Sequence, residues 1–379
     1  MATGGSQARG GQGTIAVLLP HREVYASQGA GAVSLCVRDI CSASRYRDRT
    51  VVLGRPVTAP FETPAFQPVT PSRWLPASRT SRYLAGAAAL LRRINPALIE
   101  VHNRPQYIAP LRRKLPGAAL LLYLHNDPRD TKAMSSPAAR GRLLDRVQAV
   151  VCVSDYIRTC MLDGLEQHPG RTKVHASLNG IDTRRFALSP DQRKNKEVIF
   201  VGRINPDKGA LLFARAVRKA LPAMDGWRAV LVGAHWFGDS PRMTDFERQV
   251  MNELQPLGDR VEITGYLPHE QVMARLQGAE IAVVPSLWEE PCSLAAIEAM
   301  ASGCALIATR RGGLPEVVGD AGTVLATPTD DALASAIRDL AADPERRGTC
   351  QRAARSRAEQ VLDIRVVSAR LDRIREPLL

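Results

Sequence analysis

The sequence predicts an α/β protein of two doubly wound, Rossmann-like domains, and three observations carry that expectation. Short apolar runs recur along the chain and alternate with stretches of helical composition, the pattern of βαβ units on a parallel sheet. The pattern breaks at the polar stretch Ser189–Glu197 and then restarts. With 379 residues, 45% hydrophobic but only 5% aromatic, the chain can bury more than one core and favours Ala- and Leu-rich helices packed on sheets.

Thr14–Pro20 opens the first domain as a buried strand. A loop, His21–Ala32, then leads into a helix ending near Cys41. It contains Gly29 and Gly31, which taken alone more often just make a turn, although glycine there also allows close backbone approach to a ligand. Further strands are expected at Val51–Leu53, Leu98–Val101, Leu120–Leu124, Ala149–Val153 and Val174–Ala176. Helices are expected at about Ser78–Arg93, Gln106–Lys114, Pro137–Arg146 and Asp155–Leu165. Two strand ends carry chemistry, His102-Asn103-Arg104-Pro105 and His125-Asn126-Asp127-Pro128. Of the two histidines, His125 closes the more apolar strand and is the stronger site candidate.

The second domain restarts with a strand at Val198–Val201. The loop Gly202-Arg203-Ile204-Asn205-Pro206-Asp207-Lys208-Gly209 follows, then a helix to about Leu221. Two cations on a loop after a strand suit a diphosphate, Arg as a bidentate fork and Lys as a point charge. Strands follow near Ala229–Val232, Val261–Ile263, Ile281–Val284, Ala305–Ala308 and Thr323–Leu325. Residues from about Arg346 to Arg375 are helical by composition.

Ile281–Gly303 organises this half. An apolar strand gives way at Pro285 to a loop that Pro291 keeps extended at Glu290. Helical composition begins at Ser293 and stops at Gly303. The loop therefore delivers a helix N-terminus, whose unpartnered N–H groups and dipole favour anions. Glu290 and Glu298 bracket the device. Eight residues of helix span about 12 Å, beyond the roughly 5–9.5 Å separating the carboxylates of a glycosidase. The pair suits two ends of an elongated ligand better than one scissile bond.

Glu290, seven intervening residues and Glu298, followed by Ala299-Met300-Ala301-Ser302-Gly303, resemble the Glu-x7-Glu signature of the family 4 retaining glycosyltransferases of GT-B fold. Gly202-Arg203…Lys208-Gly209, Asn179-Gly180-Ile181-Asp182…Phe186, Val153-Ser154-Asp155 and Gly312-Gly313-Leu314-Pro315-Glu316 are similar to that family's other motifs. The resemblance spans residues 14–375 and is denser in the second half. It implies two domains facing a central cleft, with a domain of residues 14–187 on the acceptor side and one of residues 188–345 binding a nucleotide-sugar. Residues 346–379 would return as helices to the first domain, and residues 1–13 would form a disordered tail.

On the same resemblance, Glu290 touches the transferred sugar and His125 lies near it. Glu298 holds the ribose, and Arg203 and Lys208 with Gly202 meet the diphosphate. Backbone at Ser293 and Leu294 faces the sugar and phosphates, Tyr266 edges the base, and Gly29 and Gly31 border the acceptor. Gly312 and Gly313 would let backbone approach the donor. Ser293 stands where the family often has Gly, so sugar specificity is not carried across. The expected donor is a UDP- or GDP-sugar, with no further cofactor, and the acceptor a saccharide or lipid-linked molecule of cell-envelope lipopolysaccharide or exopolysaccharide assembly. No carboxylate cluster for a metal is evident, so no divalent ion is expected.

Seven scattered cysteines without a Cys-x-x-Cys pair argue against a disulfide framework or structural zinc and fit a reducing cytoplasm. No apolar run is long enough for a membrane span. Residues 1–187 carry 26 Lys/Arg against 12 Asp/Glu, whereas residues 188–379 carry 25 against 26, so the net +13 belongs to the first half. That asymmetry suggests contact with an anionic membrane surface, with Trp74 and Tyr83, near Arg73, Arg79 and Arg82, as either interfacial anchors or core-edge residues. No nucleic-acid motif accompanies it. Two rivals remain at the level of sequence: a nucleotide-sugar epimerase of the same fold, and a non-catalytic sugar- or envelope-binding protein.

Overall fold

The structure, a computed structural model, describes residues 13–72, 78–187, 193–235 and 243–379. Residues 1–12 of the expected tail, the candidate anchor Trp74 with its neighbour Arg73, and the first four residues of the expected linker lie outside these residues. Two units emerge, Met1–Gly180 with Ile364–Leu379, and Ile181–Asp363.

The first unit is built on seven parallel strands, β1 (Ile15–Leu18), β2 (Thr50–Gly54), β3 (Ala65–Pro68), β4 (Leu98–His102), β5 (Ala119–Leu124), β6 (Ala149–Cys152) and β7 (Val174–Ala176). Their order is β3-β2-β1-β4-β5-β6-β7, so the winding reverses between β1 and β4. Strands β1, β2, β4 and β6 are buried along their whole length, and β5 is buried from Leu120 on, as expected of a sheet covered on both faces. Helices α1 (Ala32–Ala43), α2 (Arg79–Ile94), α3 (Ile108–Lys114), α4 (Pro137–Leu144) and α5 (Asp155–Leu162) connect them. Strand β3 was not foreseen. It is a half-exposed edge strand that ends in Pro68, a residue that edges tolerate because one N–H row faces away from the ladder.

The second unit has six parallel strands, β8 (Asn195–Val201), β9 (Arg228–Val232), β10 (Val261–Gly265), β11 (Ala279–Val284), β12 (Ala305–Thr309) and β13 (Thr323–Leu325), ordered β10-β9-β8-β11-β12-β13. Helices α6 (Ala210–Ala220), α7 (Asp245–Leu254), α8 (His269–Gly278), α9 (Leu294–Ala301), α10 (Leu314–Val318), α11 (Asp330–Ala342) and α12 (Pro344–Val361) accompany them. One core joins the inward faces of β8 and β11 to Phe213 and Val217 of α6 and to Leu333 and Ile337 of α11. The winding reverses between β8 and β11, and ligands of open α/β sheets bind outside the carboxyl ends of strands at such a point.

The observed division differs from the sequence boundaries at residues 187/188 and 345/346. Ile181 donates its N–H to Leu362 O at 3.1 Å, and the Thr183 hydroxyl donates to the Asp363 carboxylate at 2.5 Å, tying residues 181–187 to the second unit. Helix α12 packs on α9 and β12 of that unit. Only the last helix, α13 (Ile364–Arg375), belongs to the first unit, where it lies against α1. Leu362 and Asp363 separate the two helices.

Candidate functional site

Two loops meet at the carboxyl ends of β8 and β11. The first, Gly202–Gly209, is a short turn capped by Asn205, whose side chain accepts the Lys208 N–H at 3.1 Å. Gly209 then adopts φ +72°, and a Cβ there would stand 1.9 Å from Pro285 O, so only glycine lets this turn press against the end of β11. Leu287 donates its N–H to Asp207 O at 2.8 Å and completes the junction.

This junction places Lys208 against Glu290. The Lys208 ammonium lies 2.5 Å from Glu290 Oε1, and the Ser286 hydroxyl donates to the same oxygen at 2.6 Å. Glu290 is only 4% exposed, so its charge is met by a cation and a hydroxyl rather than by water. Its second oxygen has no partner among the described residues. Thr309 of β12 donates to Ser286 O at 2.6 Å, and Lys208 also lies over the Trp288 ring at 5.0 Å. Arg203 is exposed and makes no ion pair among the described residues.

The turn after β12 grips the same loop. Gly313 donates its N–H to Glu290 O at 2.6 Å, and Gly312 donates to the Glu289 carboxylate at 2.5 Å. With φ +53°, Gly312 sits where a Cβ would lie 2.3 Å from Glu290 O. This glycine therefore allows a close approach to the backbone of Glu290.

Ser293 caps α9, accepting the Ala296 N–H at 3.4 Å, and Leu294 begins the helix. Glu298, one face further along α9, pairs through Oε1 with His269 Nε2 at 2.9 Å. His269 opens α8 and meets Phe186 edge-on. Tyr266 is 46% exposed on the loop between β10 and α8. Sequence reasoning had named Glu290, Lys208, Arg203, Gly202 and Glu298 here. It missed Ser286, Trp288 and His269, whose roles are partnerships that only folding creates.

In the first unit, Gly29 takes φ +78° in the loop after β1, and Gly31 is the N-cap of α1. His102 ends β4 and His125 follows β5, both buried at 1% and 8% exposure. Asn103, at φ +52°, turns back so that its side chain accepts the His125 N–H at 3.3 Å. His102 Nδ1 and His125 Nε2 stand 2.9 Å apart, and His102 Nε2 stands 2.8 Å from Glu100 Oε1. Arg375 of α13 completes the line, donating to both oxygens of Glu100 at 2.9 and 3.0 Å. Burial first, and the neighbouring His102 second, hold His125 well below the ordinary histidine range. Burial pushes the Glu100 carboxyl up, but the Arg375 charge and the His102 hydrogen bond outweigh it and bring the group down to about 2.

Residues 183–357, within the second unit, match the family model described as Glycosyl transferases group 1. The chain is 30% identical over 256 residues to the putative glycosyltransferase YtcC of Bacillus subtilis, covering 62% of this chain and 61% of that protein. It is 24% identical over 269 residues to the lipopolysaccharide 1,2-N-acetylglucosaminetransferase of Salmonella typhimurium, covering 68% and 67%. Among solved structures, Anabaena Alr3699/HepE in complex with UDP superposes with a TM-score of 0.78 at 19% identity, covering 96% of this chain and 100% of that one. Sucrose-phosphate synthase from Thermosynechococcus elongatus follows at a TM-score of 0.74 and 19% identity, covering 96% and 99%. The fold is GT-B.

Proposed function

We propose, from a second unit that matches the group 1 glycosyl transferase model, that the chain is a retaining glycosyltransferase of family 4. It moves a hexose from a nucleoside-diphosphate sugar to a saccharide or lipid-linked acceptor of the cell envelope. The observation that carries this reading is the meeting of Lys208 and Glu290 where the winding of the second sheet reverses, with Arg203 exposed on the same loop. An elongated anion fits a site of that kind. Its diphosphate takes Arg203 and Lys208, with the Gly202 backbone alongside, and its ribose hydroxyls take Glu298. The sugar lies against Glu290 and the first turn of α9 at Ser293 and Leu294. Tyr266 edges the base. His125 serves the sugar from the first unit, and the Gly29–Gly31 loop borders the acceptor.

The chemistry is electrostatic. As the sugar becomes cation-like, the departing nucleotide gains negative charge, and donors already in place stabilise it without reorganising. Glu290 faces the positive charge on the sugar, while Lys208 lies between it and the phosphates. Because two side-chain cations supply the charge, transfer is expected to survive chelation of divalent ions. UDP is the favoured nucleotide because a structural neighbour binds it, and an envelope acceptor follows from the lipopolysaccharide-directed relative.

A metal-free thermal-shift panel of UDP-, GDP- and ADP-sugars tests the donor, with one nucleotide expected to raise the melting temperature. In the Arg203→Ala/Lys208→Ala double mutant that shift should vanish. Transfer at an unchanged rate by the double mutant would remove the diphosphate assignment.

A further inference from the structure

A line of buried groups in the first unit ends at His125, and nothing in the proposed chemistry accounts for the rest of it. Arg375 is fully buried on α13 and is braced by Asp372 at 3.2 Å, which in turn accepts the Ser44 hydroxyl at 2.7 Å. Arg375 holds Glu100, Glu100 faces His102, and His102 faces His125. Both imidazoles stack on Tyr123, with ring centroids 4.8 Å away, which fixes their planes.

Hydrogen-bond chemistry then assigns the protons in sequence. An ionised carboxylate only accepts, so the His102 nitrogen facing Glu100, Nε2, carries a proton. On a neutral ring this leaves His102 Nδ1 as a lone pair. The nitrogen facing it is His125 Nε2, which must then be the donor.

We propose that Arg375, Glu100 and His102 are positioning residues that fix His125 as its Nε2–H tautomer, leaving Nδ1 as an acceptor for a substrate hydroxyl. The role toward substrate rests on the transferase reading, whereas the tautomer rests on a His102 ring that carries a single proton. A charged His102 would reverse the assignment, placing the proton of His125 on Nδ1.

The test is a long-range 1H–15N spectrum of the full chain labelled at histidine, with the His125 signals identified by their loss in His125→Asn. The expected result is a protonated Nε2 and a bare Nδ1 on His125, recorded without substrate or turnover. In His102→Phe, which keeps a ring against Tyr123 but removes the acceptor, the tautomer should shift toward a mixture. A proton on Nδ1 in the wild type, or an unchanged tautomer in His102→Phe, overturns the proposal. If His102→Phe does not fold, the wild-type spectrum decides alone. For turnover, Glu100→Gln should lower kcat by about a hundredfold, the cost of a misoriented group, with donor KM little changed. A loss confined to KM would overturn the positioning role. Failure of transfer altogether would leave the spectrum as it is, so the two readings fail separately.

Discussion

Glu100 and Arg375 lie entirely out of water, and each is the main counter-charge of the other, with His102 and Asp372 adding to the pair. Breaking a buried pair by removing one member strands the remaining charge. Arg375→Met is accordingly expected to cost about 3–5 kcal/mol in urea unfolding. The double mutant Glu100→Gln/Arg375→Met should recover part of that loss, because Glu100 no longer carries an unpaired charge, while Asp372 still lacks its cation. Acid should act through the same groups. His125 is neutral in the fold but binds a proton below about 6.5 in the unfolded chain, so the unfolded state takes up more protons as pH falls. Its contribution is present above that value and is lost below it. Glu100 acts with the same sign at lower pH, between its ordinary 4.5 and about 2. The melting temperature should therefore drop between about pH 7.5 and 5.5, and His125→Asn should flatten that slope. Some slope will remain, since burial also lowers His21 and His175.

At the scale of elements, the site of the second unit depends on two turns pressed together, with no space between Gly209 and Pro285 for a side chain. Gly209→Ala should cost more than about 1 kcal/mol from its positive φ alone and separate Lys208 from Glu290, abolishing the nucleotide-induced thermal shift. Much of this arrangement was legible. The apolar runs located nearly every strand because a buried parallel strand has no polar face to disguise it. The loop cations and the Glu290–Glu298 spacing stood out because their chemistry sits in consecutive sequence. Other features were hidden for physical reasons. Strand β3 is short and half exposed, without the apolar signal of its neighbours. Ser286 and His269 were not singled out, because their roles exist only once folding brings them to Glu290 and Glu298. Gly312 and Gly313 advertised a tight approach correctly, but sequence could not say that the neighbour was the Glu290 backbone. Helix α7 did carry a signal that went unused, the Thr244–Glu247 capping box.

Across the whole molecule, charge and connectivity are both uneven. The excess of Lys and Arg in residues 1–187 predicts adsorption to vesicles rich in anionic lipid. Co-sedimentation should be strong at low ionic strength and weaken as added salt shortens the screening length. Connectivity predicts a lopsided response to truncation. Deleting Ile364–Leu379 removes the counter-ion of Glu100 and the helix covering α1, while leaving Ile181–Asp363 complete. Calorimetry of the truncated chain should show one transition destabilised and the other retained.

The covalent order of the chain adds a constraint of timing. Glu100 and the arginine that neutralises it are 275 residues apart, so Glu100 leaves the ribosome long before its counter-ion is made. The nascent amino-terminal sheet must hold an uncompensated acid in its interior, or keep that strand loose, while the contiguous Ile181–Asp363 segment is synthesised and free to settle first. Maturation would then run against the direction of synthesis, with the earliest-made portion locking last, when its final helix arrives.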